Sequence, residues 1–483
     1  MIKKFKYETI LAIIILIYIG IFSFLSIKRY KTLNSHYYDL GIMDQVVFNT
    51  SRGRFLEMTD PQLKKNVNRL AIHFDPILAV FAPFYKIYQG PEVLLIGQTV
   101  ILALGALAVY LIGQQIIKKK PISLLFAISY LCFFPIQRAN IFDFHGVVLA
   151  TTFLLFAIYF NLVKKNRWSF IFILLSLLTK EHVGLVIFLF GLYLFFIKKE
   201  KKFGTVVAGT GIIFFVSTMY LMIPYFRKET HFALRYYKDF LIRDPLLTIK
   251  YLLQKDTFDY VLKMIKPNFY SILSPLVLLI SLPEWVINIF SSNSNMRSIY
   301  FHYNSLIIPF IYYSLILGYK NFNNLVKNSL VKRTILIIFI GFNIYSFYLY
   351  NPIPSGFVKE PVIYTDISQE KMKTIKQWQD ILKDENIKLA TTPKLAPFFT
   401  ARKYYFNFLY DTAYSLMGYT DEEIYNSKSN DYKMADYVII DRTEIGDLSQ
   451  KTLPARFFQN FMNDKDYEVI FSSDQQIEIY KKI

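Results

Sequence analysis

The sequence predicts an α-helical, polytopic membrane protein with a small α/β domain at its carboxyl end. Three observations predict it. Of 483 residues, 54% are hydrophobic and 18% aromatic, with a mean hydropathy of +0.31, which suits a membrane-embedded chain better than a soluble enzyme. Apolar runs long enough to cross about 30 Å of hydrocarbon recur up to Tyr350. Lysine and arginine gather in short clusters between those runs, the distribution that orients multi-pass proteins.

The clearest spans are 8–27, 92–117, 145–163, 203–224 and 334–350. Shorter runs at 121–137, 168–180, 182–198, 268–290 and 303–319 raise the expected total to about 9–11 transmembrane helices. Met1 to Lys6 is basic and no small-residue cleavage site follows the first run, so the amino terminus is expected in the cytoplasm behind an uncleaved anchor. The clusters Lys118–Lys120, Lys164–Arg167, Lys198–Lys202 and Lys320–Arg333 then fall inside. The loop 28–91, residues 138–144 and the turn Lys180-Glu181-His182 fall outside. Lysine and arginine concentrate in such clusters between spans, so the net charge of +19 does not point to nucleic acid as a partner.

Within the first outer loop, Asp75 to Gln89 is too short to cross. Ile77, Leu78, Val80, Phe81, Phe84 and Ile87 fall near helical spacing, which predicts an amphipathic surface helix opening on Pro76. Residues 226–266 form a second, basic outer loop that would suit a phosphate-bearing lipid. Pro275 and Pro283 interrupt 268–290 and predict a broken or re-entrant helix. Asn351 to Gly356 reads as a linker, dividing a transmembrane domain at 1–351 from a soluble α/β domain at 352–483, expected on the extracytoplasmic side. Its strands are expected at 387–392, 403–408, 437–441, 467–472 and 476–481, the last two forming a hairpin about Ser473-Asp474-Gln475.

The candidate functional residues sit in the outer turns. Asp39, in Tyr38-Asp39-Leu40-Gly41, reads either as the cap of a helix starting at Leu40 or as a general base or metal ligand facing a cavity. Asp44 lies about 140° of helix rotation from it if both are helical, and reads as a second acid or as a solvated helix face. His73 and Asp75 precede Pro76, where Asp75 is a cap or a ligand. Arg138, Asp143 and His145 stand at a span boundary as an anionic-headgroup site or an interfacial ion pair. Lys180-Glu181-His182 is a phosphate-facing or merely solvated turn, and Glu284 and His302 are ligands or interfacial anchors. The single Cys132 excludes an intramolecular disulfide, and the six histidines are too scattered along the chain to support a zinc site. There is no P-loop, dinucleotide fingerprint or internal repeat.

The ordered set Tyr38-Asp39-Leu40-Gly41-Ile42-Met43-Asp44-Gln45, His73-Phe74-Asp75-Pro76, Asn140-Ile141-Phe142-Asp143-Phe144-His145 and Lys180-Glu181 resembles the membrane-protein family called domain of unknown function 2079. Leu282-Pro283-Glu284, Tyr300-Phe301-His302-Tyr303 and Ala390-Thr391-Thr392 to Arg402 extend the resemblance over most of the chain, although Phe301 is an inserted aromatic relative to the family's usual Tyr-His-Tyr. That family in turn resembles the GT-C glycosyltransferases, including protein mannosyltransferases and aminoarabinose transferases. The resemblance implies a GT-C-like fold and an inverting transfer of sugar from a polyprenyl-phosphate carrier to a glycan, lipid or protein acceptor. It gives Asp39 the place of the catalytic carboxylate. Asp44, Asp75, Asp143 and Glu181 are then candidates for a supporting acid or for a divalent Mg or Mn ion; Arg138, His145, Lys180, His73 and His302 are candidates for the phosphate. Many GT-C enzymes carry adjacent acidic residues here, whereas Tyr38-Asp39-Leu40 has one. A lipid or small-molecule transporter, and a non-catalytic membrane-anchored binding protein, are the other readings.

Overall fold

The computed structural model describes residues 6–60, 63–228, 237, 245–410, 413–416, 419–474 and 476–483. Met1–Phe5 of the basic amino terminus, Arg235, Lys238 and Arg243 of the second outer loop, and Gln475 of the last turn lie outside the described residues. The chain forms two compact units. One comprises Met1–Ser26, Ile72–Ile77 and Leu95–Ile363; the other comprises Ile27–Ala71, Leu78–Leu94 and Tyr364–Ile483. The division therefore does not follow a single cut near residue 351, because most of the first outer loop folds with the carboxyl-terminal segment.

The first unit is helical. Among the described residues, four helices are long and apolar enough to span a membrane: Lys6–Lys31, Glu92–Ile117, Lys201–Arg227 and Ser329–Tyr350. A fifth arises if Lys120–Leu131 and Phe134–Phe142, bent by 41° at Cys132-Phe133, count as one span. This is fewer than the about 9–11 expected from hydropathy. The reason is length. Gly146–Leu162, Asn166–Leu177 and Val183–Phe196 have 17, 12 and 14 residues, and at about 1.5 Å per residue they fall short of the hydrocarbon thickness. Polar turns stop each of them. The run 268–290 is broken as its prolines suggest, into Lys266–Leu273, Pro275–Leu278, Leu279–Ser281 and Leu282–Phe290. Apolar side chains such as Leu16, Ile213 and Ile337 point outward at 66–67% exposure, which a soluble surface would avoid and a bilayer accommodates.

Small residues set one close helix–helix contact in this unit. Val183–Phe196 runs antiparallel to Lys201–Ser217, and Gly184, Gly191, Gly204 and Gly211 line the seam. A Cβ on Gly191 would stand 2.2 Å from the Ala208 backbone nitrogen, and one on Gly211 would stand 2.4 Å from that of Phe188. Backbones can approach this closely only without side chains, the usual route to helix association where no hydrophobic effect drives it.

The second unit contains two sheets. In the outer loop, β1 (Glu57–Asp60) pairs antiparallel with β2 (Lys65–Asn68). In the carboxyl-terminal segment, β3 (Leu389–Thr391), β4 (Tyr405–Asn407), β5 (Tyr437–Asp441), β6 (Tyr467–Ser472) and β7 (Ile477–Lys482) form one sheet in the order β4-β3-β5-β7-β6. β3 is parallel to β4 and β5, while β7 is antiparallel to β5 and β6. Phe406, Ala390, Val438 and Ile440 on one face pack under Phe457, Phe458 and Phe461 of the Leu453–Met462 helix. The outer loop is bound into this unit by specific contacts. Tyr37 stacks on Tyr405 at 4.7 Å, the Tyr405 amide donates to Thr59 Oγ1, Asn66 donates to the Lys403 carbonyl, and Arg54 donates to both oxygens of Glu385.

Gly191→Val is expected to lower stability by about 1–3 kcal/mol through overpacking of the glycine seam. Gly209→Val, where a Cβ meets nothing within 4 Å, is expected to melt like the parent. Thermal unfolding in detergent compares the two; equal melting temperatures would show that the seam is not a close contact.

Candidate functional site

Three polar turns meet in the first unit at Gly146. A Cβ there would stand 3.1 Å from Ile77, 3.2 Å from the Thr179 carbonyl oxygen and 3.7 Å from Asp75, so the turns pack closely around this glycine. The Ile77 amide donates to the Leu178 carbonyl, joining the first turn to the third. Gln98, inside the Glu92–Ile117 helix, pins the second: its Nε2 donates to the Asp143 carbonyl at 3.0 Å and its Oε1 accepts from the His145 amide at 2.9 Å.

The side chains form a mixed cluster. Buried Glu181 accepts from the Phe74 amide at 2.9 Å and lies 3.0 Å from His73 Nδ1. His182 Nε2 faces Glu284 Oε2 at 3.2 Å in an ion-pair contact. The rings of His145 and His302 stack with centroids 3.7 Å apart. His302 is 6% exposed and its Nδ1 has no hydrogen-bond partner. Burial holds its imidazole well below the ordinary histidine range, and the positive charge available on His145, Lys180, His73 and His182 pushes the same way. Four of the six histidines and Lys180 therefore gather here, with Glu181 against His73 and Glu284 against His182. The four are far apart in sequence, and no group of three or more histidine, cysteine or acidic residues that could hold a metal ion occurs among the described residues. Chain distance hides the association, because the four come from turns spread between residues 73 and 302.

In the second unit, Asp39 is not a helix cap. Residues Tyr37–Gly41 form a π-helical turn whose N-cap is His36, and the Leu40 and Gly41 amides both donate to the His36 carbonyl. The Tyr37 amide donates to the Pro393 carbonyl in the loop after β3. Burial pushes the His36 imidazole down to about 4; half-buried Asp39 opposes this, and Arg29 and Lys394 push the same way as burial. Asp44 is not a solvated helix face either. It is fully buried, accepting from the Tyr85 hydroxyl and the Thr400 hydroxyl, both at 2.8 Å. Burial pushes its carboxyl up to about 7 against those two hydrogen bonds. Both of its oxygens are thus occupied in holding the unit together. Half-buried Glu444, whose two oxygens accept from the Lys394 amide, is pushed up to about 7, with desolvation the largest cause.

Residues 29–477 match a family described as predicted membrane protein, DUF2079. The chain belongs to this family. No curated protein matches it. Family membership and the apolar helices together make it a multi-pass membrane protein, a DUF2079 protein whose activity has to be read from the site.

Among the residues singled out from sequence, this DUF2079 chain brings His73, His145, Lys180, Glu181 and His302 into one cluster, with Asp75 and Asp143 buried in the same turns. Arg138 is used otherwise. Its Nε donates to the Tyr350 carbonyl and its guanidinium to the Glu360 carbonyl, 5.0 Å above the Tyr300 ring. Sequence reasoning did not assign Gln98 a role, placed His182 only within the phosphate-facing or solvated turn, and left Glu284 as a ligand or interfacial anchor. The signal for Gln98 was available as a polar amide within a long apolar helix.

Asp44→Asn is expected to flatten the pH dependence of stability. A carboxyl raised above its usual 3.8 contributes stability below that value and loses it as pH rises through about 7. Melting temperatures of the parent should fall across this window, and those of the variant should fall less, with Glu444 supplying part of the remaining slope. Scanning calorimetry from pH 4 to 8 measures the difference, and an unchanged slope would place the titration elsewhere.

Proposed function

We propose that this DUF2079 protein is an inverting membrane glycosyltransferase with a GT-C-like architecture. It takes a sugar from a polyprenyl-phosphate carrier on the outer face of the cytoplasmic membrane and passes it to an acceptor hydroxyl. One observation carries this reading: four imidazoles and Lys180 gathered at the ends of apolar helices, with the buried, unpartnered Nδ1 of His302 among them. A lipid phosphate carries its tail into hydrocarbon and its charge at the boundary, where such a cluster can receive it. When the sugar–phosphate bond breaks, negative charge grows on the departing phosphate, and positioned donors stabilise that charge. The acceptor hydroxyl must lose its proton to a base, a role that the family resemblance gives to Asp39. The two tasks belong to residues of different units and are tested separately. The positive-inside distribution of lysine and arginine supports the outer face.

The donor set does not fit a resident Mg or Mn ion. Such ions prefer several carboxylate, phosphate or water oxygens, whereas Glu181 and Glu284 each engage a histidine, and no group of three or more histidine, cysteine or acidic residues poised to hold an ion occurs among the described residues. No step is therefore routed through a metal.

With purified protein and a polyprenyl-phosphate sugar, Lys180→Met is expected to weaken donor binding about tenfold, equivalent to about 1.4 kcal/mol. Asp39→Asn should bind donor normally and lose about 100-fold or more in transfer. Full transfer by Asp39→Asn would remove it as the base. Movement of the carrier across liposomes without sugar loss would favour a flippase instead. Donor binding should also tighten from pH 8 to pH 6, since a bound phosphate favours protonation of His302, whose imidazole the free protein keeps neutral. Affinity independent of pH would exclude that coupling.

A further inference from the structure

The second unit holds a cavity of about 350 Å³ that the phosphate cluster does not use. One wall is a single stripe of the Gln369–Ile381 helix, where Met372, Lys376 and Gln379 fall at successive turns. The opposite wall is Tyr88 to Glu92 with Lys31, and the floor includes Tyr30 stacked on Phe398 at 4.5 Å. Lys31 sits 3.7 Å from Glu92, whereas exposed Lys376 has no ion-pair partner among the described residues. The lining is more polar than apolar, which argues against a hydrocarbon tail. Its volume is at the low end for ligand sites, about 300–1,000 Å³, and suits one or two sugar-sized rings. Aromatic side chains, amides and an unneutralised lysine are the groups that recognise a hydroxylated ring with a negative charge.

We infer that this cavity binds an acidic saccharide, a hydroxylated ring bearing one anionic group. This binding does not rest on the glycosyltransferase reading. Gly90 keeps the wall in place, since a Cβ there would stand 2.7 Å from Glu92 Oε2 and 3.0 Å from the Tyr88 ring.

The test is equilibrium binding of glucuronate, glucose 6-phosphate and glucose to the purified full-length protein in nanodiscs, without any lipid donor. At least one of the two acidic sugars is expected to bind saturably and about tenfold or more tighter than glucose. Lys376→Glu should weaken that binding about tenfold and Lys376→Arg should preserve it. Tyr88→Ala should weaken both acidic and neutral sugars. Lys180→Met, in the phosphate cluster, should leave sugar binding unchanged, so failure of the donor reading and failure of this one are distinguishable. Because Lys376 is exposed, an unchanged melting temperature will show that its variants remain folded. No saturable binding, equal affinity for glucose and both acidic sugars, or parent-like binding by Lys376→Glu would overturn the inference.

Discussion

The candidate site of the first unit depends on one buried carboxylate. Glu181 is 3% exposed, and it accepts from the Phe74 amide and contacts the His73 ring across 107 and 108 positions of sequence. Removing a carboxylate from water is costly unless its oxygens are satisfied. The cost is offset only when the turn before Pro76 and the turn after Leu177 are brought together, which makes this contact a constraint on topology as well as a bond. Once they are joined, Ile77 reaches Leu178 and Gly146 admits the second turn. His145 then lies in the same polar pocket as His302.

A similar logic operates in the second unit with a different acid. Asp44 draws the Tyr85 and Thr400 hydroxyls to itself from segments far apart in sequence. Around it, Gln45 exchanges hydrogen bonds with Thr59 and Tyr37 stacks on Tyr405. The motif that includes Asp39 is consequently held by side chains of the carboxyl-terminal segment. A loop presenting a carboxylate gains a defined geometry when its backbone is anchored this way, as Tyr37 is at Pro393.

Much of the fold was legible in the sequence. The five strands after residue 386 fall within or one residue beyond the expected ranges, because short runs rich in β-branched and aromatic residues are a local signal. The apolar helices were legible as well, but their number of full crossings was not. Hydropathy marks a run such as 168–180 as apolar without revealing that its regular helix stops at Leu177, short of the membrane thickness. Asp39 and Asp44 illustrate a second limit. Their spacing argued against a close pair, yet it did not indicate that one would sit in a π-helical turn and the other at the centre of a buried hydrogen-bond network.

What the sequence determined alone was composition, the periodic and apolar patterns, the family motifs, and hence membrane residence and the set of polar turns worth attention. All of these are properties of residues close together in the chain. Only the tertiary structure decided which turns meet. It gathered His73, His145, His182 and His302, and it assigned Arg138 to backbone carbonyls and Asp44 to a buried core. Those outcomes depend on satisfying buried charge and backbone polarity between segments more than 100 residues apart, a requirement that no local window of sequence contains.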